Sequence, residues 1–187
     1  PNAYATTLTT EKAKGWLDKR DPTKPFMLMV NHKAPHRNWW PEFKHALAFS
    51  KIRIPEPPTL YTDTSGKGKA YRDQQMRILD DMSLCVDLKI DPAYLDDIPQ
   101  LKPSIKEIKD YHSMIADIPE DLRKKFTELY ATRGEILSRV KPTGKELLKW
   151  KYQWYMQDYL ACIASVDESV GALQNYLDSS GLAENTL

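Results

Sequence analysis

An ammonium and an imidazole three residues apart, Lys33 and His36, stand in the polar and aromatic run Asn31-His32-Lys33-Ala34-Pro35-His36-Arg37-Asn38-Trp39-Trp40-Pro41. Such a pair can converge on an anion, and an imidazole, with a reference pKa of ~6.5, can hold a proton for a leaving group or receive one. The same spacing also suits a histidine that only hydrogen-bonds its own loop, so the residues alone leave both roles open. Trp39 and Trp40 offer either a flat apolar wall for a sugar ring or a wedge that fastens the loop to the domain, and adjacent tryptophans more often pack. His32, His45 and His112 have no comparable company and are read as structural. The turn Gly66-Lys67-Gly68-Lys69 lacks Walker spacing and no apolar strand leads into it, so it is not a phosphate loop.

The elements that must position these residues follow from patterning. Pro25 opens the apolar run Phe26-Met27-Leu28-Met29-Val30, whose length and continuity predict a strand buried on both faces. The polar run would then lie where ligands bind in open α/β sheets. Before it, Thr9 to Arg20 reads as a helix stopped by Asp21-Pro22. After it, Ile52 to Lys69 is rich in proline and glycine and predicts an ordered, extended loop.

From Ala70 a helix is predicted, with Tyr71, Gln75, Ile78, Leu79 and Met82 on one face. Residues 91–118 show weak periodicity. Pro119 then starts a helix in the preferred way, with Leu122, Phe126, Leu129, Ile136 and Val140 on its inner face and Pro142 as its stop. The strongest local signal is the stripe Leu148, Tyr152, Tyr155, Tyr159, Cys162, Val166, Val170, Leu173 and Leu177, which predicts one long helix packed beside the strand. Trp150 and Trp154 fall within the same helix and read as packing. Gly181 suits its C-terminal cap.

Composition bounds the partners. The 187 residues suffice for one domain, and 27 basic against 26 acidic residues give no net field to attract nucleic acid. No apolar run approaches the ~18 residues of a membrane span, and Pro1 to Thr10 lacks the pattern of a secretory signal. Cys85 and Cys162, far apart and outside any Cys/His cluster, predict two buried thiols rather than a disulfide framework or a zinc site.

At Lys24-Pro25-Phe26-Met27-Leu28-Met29-Val30 through Ala34-Pro35-His36 the sequence resembles the sulfatases of the alkaline phosphatase superfamily, whose middle strand reads Pro-Phe-aliphatic and ends in Pro-His. Tyr4-Ala5-Thr6 is similar to the stretch before that strand. Asp158-Tyr159-Leu160 through Gly181-Leu182-Ala183-Glu184-Asn185-Thr186-Leu187 is similar to the long helix and the turn after it. Ile54-Pro55-Glu56-Pro57-Pro58-Thr59, Lys89 and Arg37-Asn38-Trp39 resemble bacterial glycan sulfatases, such as those acting on 6-sulfated N-acetylglucosamine.

The resemblance implies an α/β fold, a mixed sheet sandwiched by helices and incomplete in this chain, with 1–187 the central part of one catalytic domain. It implies hydrolysis of a sulfate ester on a carbohydrate, with His36 and Lys33 catalytic and Arg37, Trp39 and Trp40 binding substrate. Calcium and a formylglycine nucleophile are expected in the intact enzyme, in a periplasmic or secreted location. Neither cysteine lies in the Cys/Ser-x-Pro/Ala-x-Arg motif that yields formylglycine. The nucleophile and the metal ligands are therefore expected on flanking segments, the chain alone is expected to be inactive, and its strand edges are expected to promote self-association. The alternatives are a phosphodiesterase or phosphotransferase of the same superfamily and a non-catalytic helical interaction module.

Overall fold

The computed structural model describes residues 4–187. Six α-helices carry most of its regular structure: α1 (Ala5–Lys19), α2 (Phe43–Phe49), α3 (Lys69–Asp73), α4 (Ile105–Ala116), α5 (Glu120–Val140) and α6 (Gly144–Ser179), with short 3-10 turns between them. In α1 the inward residues Thr6, Thr10, Ala13 and Leu17 recur at steps of four, three and four, which places one stripe against α6. The helix begins four residues before the predicted start. It ends at Lys19, ahead of Asp21-Pro22 as expected.

Helix α6 runs unbroken for 36 residues, about 54 Å at the usual rise. It packs against α1 and α2, while α5 packs against α2 and the turn Pro92–Leu95. The predicted long helix is therefore present, but its buried face is rotated from the predicted stripe, of which only Tyr152 and Cys162 are buried. Leu147, Lys151, Trp154, Asp158, Ala161, Ser165 and Ser169 point inward, whereas Tyr155, Tyr159 and Val166 are half-buried and Val170 is exposed. Polar and charged residues occupy the innermost positions because they bind partners there, which an apolar count does not register.

Three further expectations are corrected. Phe26–Val30 is extended, but it pairs with no strand among the described residues, where helices and irregular segments account for the whole structure. Nor is it buried on both faces: Met27 is 81 % and Met29 70 % exposed, while Phe26, Leu28 and Val30 turn partly inward. The run thus has the side-chain alternation of a strand without a neighbour to pair with. The helix predicted from Ala70 stops after one turn at Asp73, because the side chains of Gln74 and Asp81 accept the backbone N–H groups of Met76 and Arg77 that a helix would need. Finally, the weakly periodic residues 91–118 contain α4. Ser104 and Glu107 form a reciprocal capping box at its start, with the Ser104 hydroxyl accepting from the Glu107 N–H.

The main core is built around the irregular segment 82–101. Met82, Leu84, Cys85, Leu88, Ile90, Leu95, Ile98 and Leu101 are buried there against Tyr111 of α4, Leu137 of α5, and Leu147 and Trp154 of α6. A smaller cluster joins Ala46, Phe126 and Tyr130 to Trp40 and Phe43. Tyr94 lies so close to α5 that a Cβ on Gly134 would meet its ring at 2.3 Å, so glycine is required at that crossing. Both cysteines are buried free thiols, as the sequence predicted.

Candidate active site

The chain leaves Val30 and turns through residues 31–42 before entering α2. Within this loop, Lys33, His36, Arg37 and Trp40 line one open depression of about 340 Å³, together with residues of α1 and α4 and with Cys162 of α6. Four of the five residues singled out in the sequence therefore share one surface. The fifth, Trp39, turns the other way and packs edge-on against Tyr155 with ring centroids 4.6 Å apart.

His36 is exposed, and its Nδ1 lies 2.5 Å from the Arg37 carbonyl oxygen. A carbonyl only accepts, so Nδ1 carries the proton in this contact. In the neutral ring Nε2 is then a bare acceptor, and in the imidazolium it becomes a donor. His36 can thus take a proton at Nε2 and deliver it to a leaving oxygen.

Lys33 is exposed and makes no salt bridge among the described residues. Arg37 is held differently. Its Nε and one terminal nitrogen donate to the two oxygens of Asp87 at 2.6 and 2.5 Å, while its own side chain stays 53 % exposed. Hydrogen bonding to Asp87 raises the Arg37 pKa still further. The guanidinium is fixed on one edge and free on the other, an arrangement suited to a forked contact with an anion.

Both tryptophans also wedge the loop. Trp40 meets Phe126 and Tyr130 edge-on at 5.3 and 6.3 Å, and its carbonyl accepts from the Tyr4 hydroxyl. Only Trp40 also reaches the depression.

Sequence reasoning did not identify what holds this loop. Asp87 and Lys89, alternate residues of the buried segment, grip the alternate residues Arg37 and Trp39: Asp87 takes the guanidinium, and Lys89 Nζ donates to the Trp39 carbonyl at 2.9 Å. Trp39 and Lys89 both adopt left-handed backbone, with φ of 49° and 56°. Such conformations cost about 1 to 3 kcal/mol each and persist where the surroundings over-determine them. Here each strained residue is tied to the other.

Lys89 also donates to Asp158 Oδ2 at 2.9 Å, and Arg133 grips both oxygens of Asp158 at 2.9 and 2.7 Å. The hydroxyl of Tyr130 completes the cluster at 3.3 Å. Two cations thus face one carboxylate in a fully buried place. Burial drives the Lys89 pKa down against the pull of Asp158. Burial also works to raise the Asp158 pKa, but Arg133 and Lys89 outweigh it and hold the carboxyl below its ordinary range. Lys89 was noted in the sequence only as a point of resemblance. A buried charge in an irregular segment carries no periodic signal.

The chain matches the sulfatase family over residues 1–187, and it belongs to that family. It is 39 % identical over 184 residues to an N-acetylglucosamine-6-O-sulfatase of Bacteroides thetaiotaomicron, an alignment covering 98 % of this chain and 32 % of the relative. A solved structure described as bound to its substrate D-glucosamine-2-N,6-O-disulfate superposes with a TM-score of 0.82 at 38 % identity, covering 95 % of this chain and 35 % of that one. The chain therefore spans about a third of the length of the relatives it matches.

Sulfatases in general use a metal ion and a formylglycine. Among the described residues one group of three ligand-type side chains comes together, Glu42, His45 and Glu168. Lys44 already lies 2.6 Å from Glu168 and 3.4 Å from Glu42. A calcium ion asks for six to eight oxygens, so two carboxylates shared with an ammonium and an imidazole do not fit it.

Proposed function

We propose that the protein hydrolyses a sulfate ester on an amino sugar of the glucosamine type, and that residues 1–187 supply the side chains flanking the ester rather than the attacking group. The observation that carries this reading is the convergence of Lys33, His36, Arg37 and Trp40 on one depression. The named activities of the relatives at 38 and 39 % identity support it. In this reading the ammonium of Lys33 and the free edge of Arg37 attract the sulfate oxygens. Trp40 gives the sugar an apolar border. His36, as the imidazolium, passes the proton on Nε2 to the departing sugar oxygen while Nδ1 keeps its bond to the Arg37 carbonyl.

No Cys/Ser-x-Pro/Ala-x-Arg motif occurs in residues 1–187, so the formylglycine of the reaction is placed on another segment. The acidic metal ligands are placed there too, since the cluster at Glu42 does not suit calcium. Phe26–Val30, already extended with alternating exposure, is the segment we assign to the mixed sheet of the catalytic domain.

In the sulfatase containing these residues, His36→Ala is expected to lower turnover of a 6-sulfated glucosamine by about 10² to 10⁴, the usual worth of a positioned acid or base. Unchanged turnover would remove the role. Residues 1–187 assayed alone are expected to release no sulfate, because general acid assistance does not replace an activated nucleophile.

A further inference from the structure

Between the end of α2, the middle of α5 and the first half of α6 lies a second open cleft of about 480 Å³, sharing no lining residue with the His36 depression. Its lining includes Lys51, Arg53, Arg133 and Lys149 and no carboxylate. In a chain with 27 basic and 26 acidic residues this is a local segregation of charge rather than a reflection of composition. Lys51 and Arg53 are exposed. Of the three surface cations, Lys149 alone has a carboxylate within salt-bridge reach among the described residues, Glu56 at 3.8 Å. Behind them the buried cluster adds Arg133 and Lys89 against the single carboxylate of Asp158. Low-dielectric walls lined by one sign of charge focus the field into a cleft and raise the local concentration of anions.

The cleft also has an aromatic wall. Trp150 stacks on Trp154 with ring centroids 5.5 Å apart and an interplanar angle of 27°. Trp154 is buried and Trp150 only partly so, which leaves Trp150 as the more open ring of the pair. Cations beside an indole face suit a ligand with an anionic substituent on a ring whose C–H surface can pack on aromatic carbon. The volume lies within the range of about 300 to 1,000 Å³ typical of small-molecule sites.

We infer that this cleft is a second, non-hydrolytic subsite for a sulfated sugar, with Lys51 and Arg53 taking the sulfate and Trp150 the ring. The inference rests on the proposed action on sulfated amino sugars, and it extends that action to a substrate with a further sulfated residue beyond the one attacked at His36.

The test is titration of the protein, labelled at its indole nitrogens, with 6-O-sulfated N-acetylglucosamine, unsulfated N-acetylglucosamine, glucuronic acid and sodium sulfate. The Trp150 signal is expected to move saturably with the sulfated sugar and not with the neutral one. Lys51→Ala combined with Arg53→Ala, both at exposed positions, is expected to weaken that response by about tenfold or more. Trp150→Phe removes that signal but keeps an aromatic face, so its affinity for the sulfated sugar, read by calorimetry, is expected to be unchanged, as is turnover of a monosaccharide substrate in the double variant.

An equal response to sodium sulfate would show an anion patch only and overturn the sugar subsite. An equal response to glucuronic acid would overturn the choice of sulfate. Shifts confined to Trp39 and Trp40 would overturn the cleft itself. Saturable binding at Trp150 by a protein that hydrolyses no sulfate ester would leave the subsite standing and remove the proposed reaction. Hydrolysis without any response at Trp150 would do the reverse.

Discussion

Two segments of this chain lack a regular partner, and they have opposite fates. Phe26–Val30 is an unbroken run of five apolar residues, yet Met27 and Met29 face outward. Residues 82–101 contain aspartates, a lysine and prolines, yet Cys85, Leu88, Ile90 and Leu95 are fully buried there. What separates them is the satisfaction of backbone groups. A buried irregular backbone must find partners for its carbonyls and amides. In the second segment charged side chains provide them. Lys151 of α6 donates to the carbonyl of Met82 and, just ahead of the segment, to that of Leu79; Arg133 of α5 donates to that of Leu88 and Lys89 to that of Asp87, while Asp87 accepts from the Ser83 amide. Among the described residues no such donors reach Phe26–Val30, whose backbone suits a sheet ladder instead.

The sharpest way to break this contrast is to remove the charge at the centre of the buried cluster. Asp158→Ala leaves Lys89 and Arg133 buried without their counter-ion and is expected to cost about 3 to 5 kcal/mol, read by chemical denaturation. A loss below 1 kcal/mol would mean that the cluster does not hold the irregular core.

The same group sets a pH dependence. Its folded pKa lies below the unfolded value of about 3.9. Its stabilisation is therefore complete above the unfolded pKa and lost as pH falls through the lower folded value. Denaturation midpoints measured from pH 6 downward are expected to fall in the acid range, and the Asp158→Asn variant is expected to lose part of that slope.

Core truncations sharpen the comparison further. Leu95→Ala and Leu137→Ala, both at fully buried positions, are expected to cost about 2 to 5 kcal/mol. Leu173→Ala on the half-buried part of α6 is expected to cost clearly less. Ser104→Ala, which removes the cap of α4, is expected to cost about 1 kcal/mol by the same measurement. The smallest effect belongs to the outward methionines: Met27→Lys with Met29→Lys is expected to change stability by no more than about 0.5 kcal/mol. The same pair is expected to reduce concentration-dependent association in sedimentation, and a large loss of stability instead would show that the segment is already part of the core.

Much of the molecule was legible in the sequence. Pro119 and Pro142 bound α5, the long stripe announced α6, and the crowding of Lys33, His36, Arg37 and Trp40 marked the depression. The reading failed where polar residues took apolar places. Lys89, Lys151, Arg133, Asp87 and Asp158 lie inside because each is paired, and residue type alone assigns such charges to the surface. Ser104 and Glu107 did carry a readable sign of α4, the Ser-x-x-Glu spacing, set in a segment whose prolines and charges obscured it. Trp39 was a fair candidate by type, but only its backbone conformation decides which way the ring turns.

The two thiols give the protein built-in reporters of its own opening. Burial pushes Cys85 up to about 12 and Cys162 up to about 11, so neither forms much thiolate at neutral pH while the chain stays closed. Cys85 lies within the irregular core, and Cys162 borders the His36 depression from α6. An alkylating reagent would therefore time two separate events. Modification of Cys162 before Cys85 would record the face around the His36 depression loosening while the charged core still held, and simultaneous modification would record the two giving way as one cooperative unit.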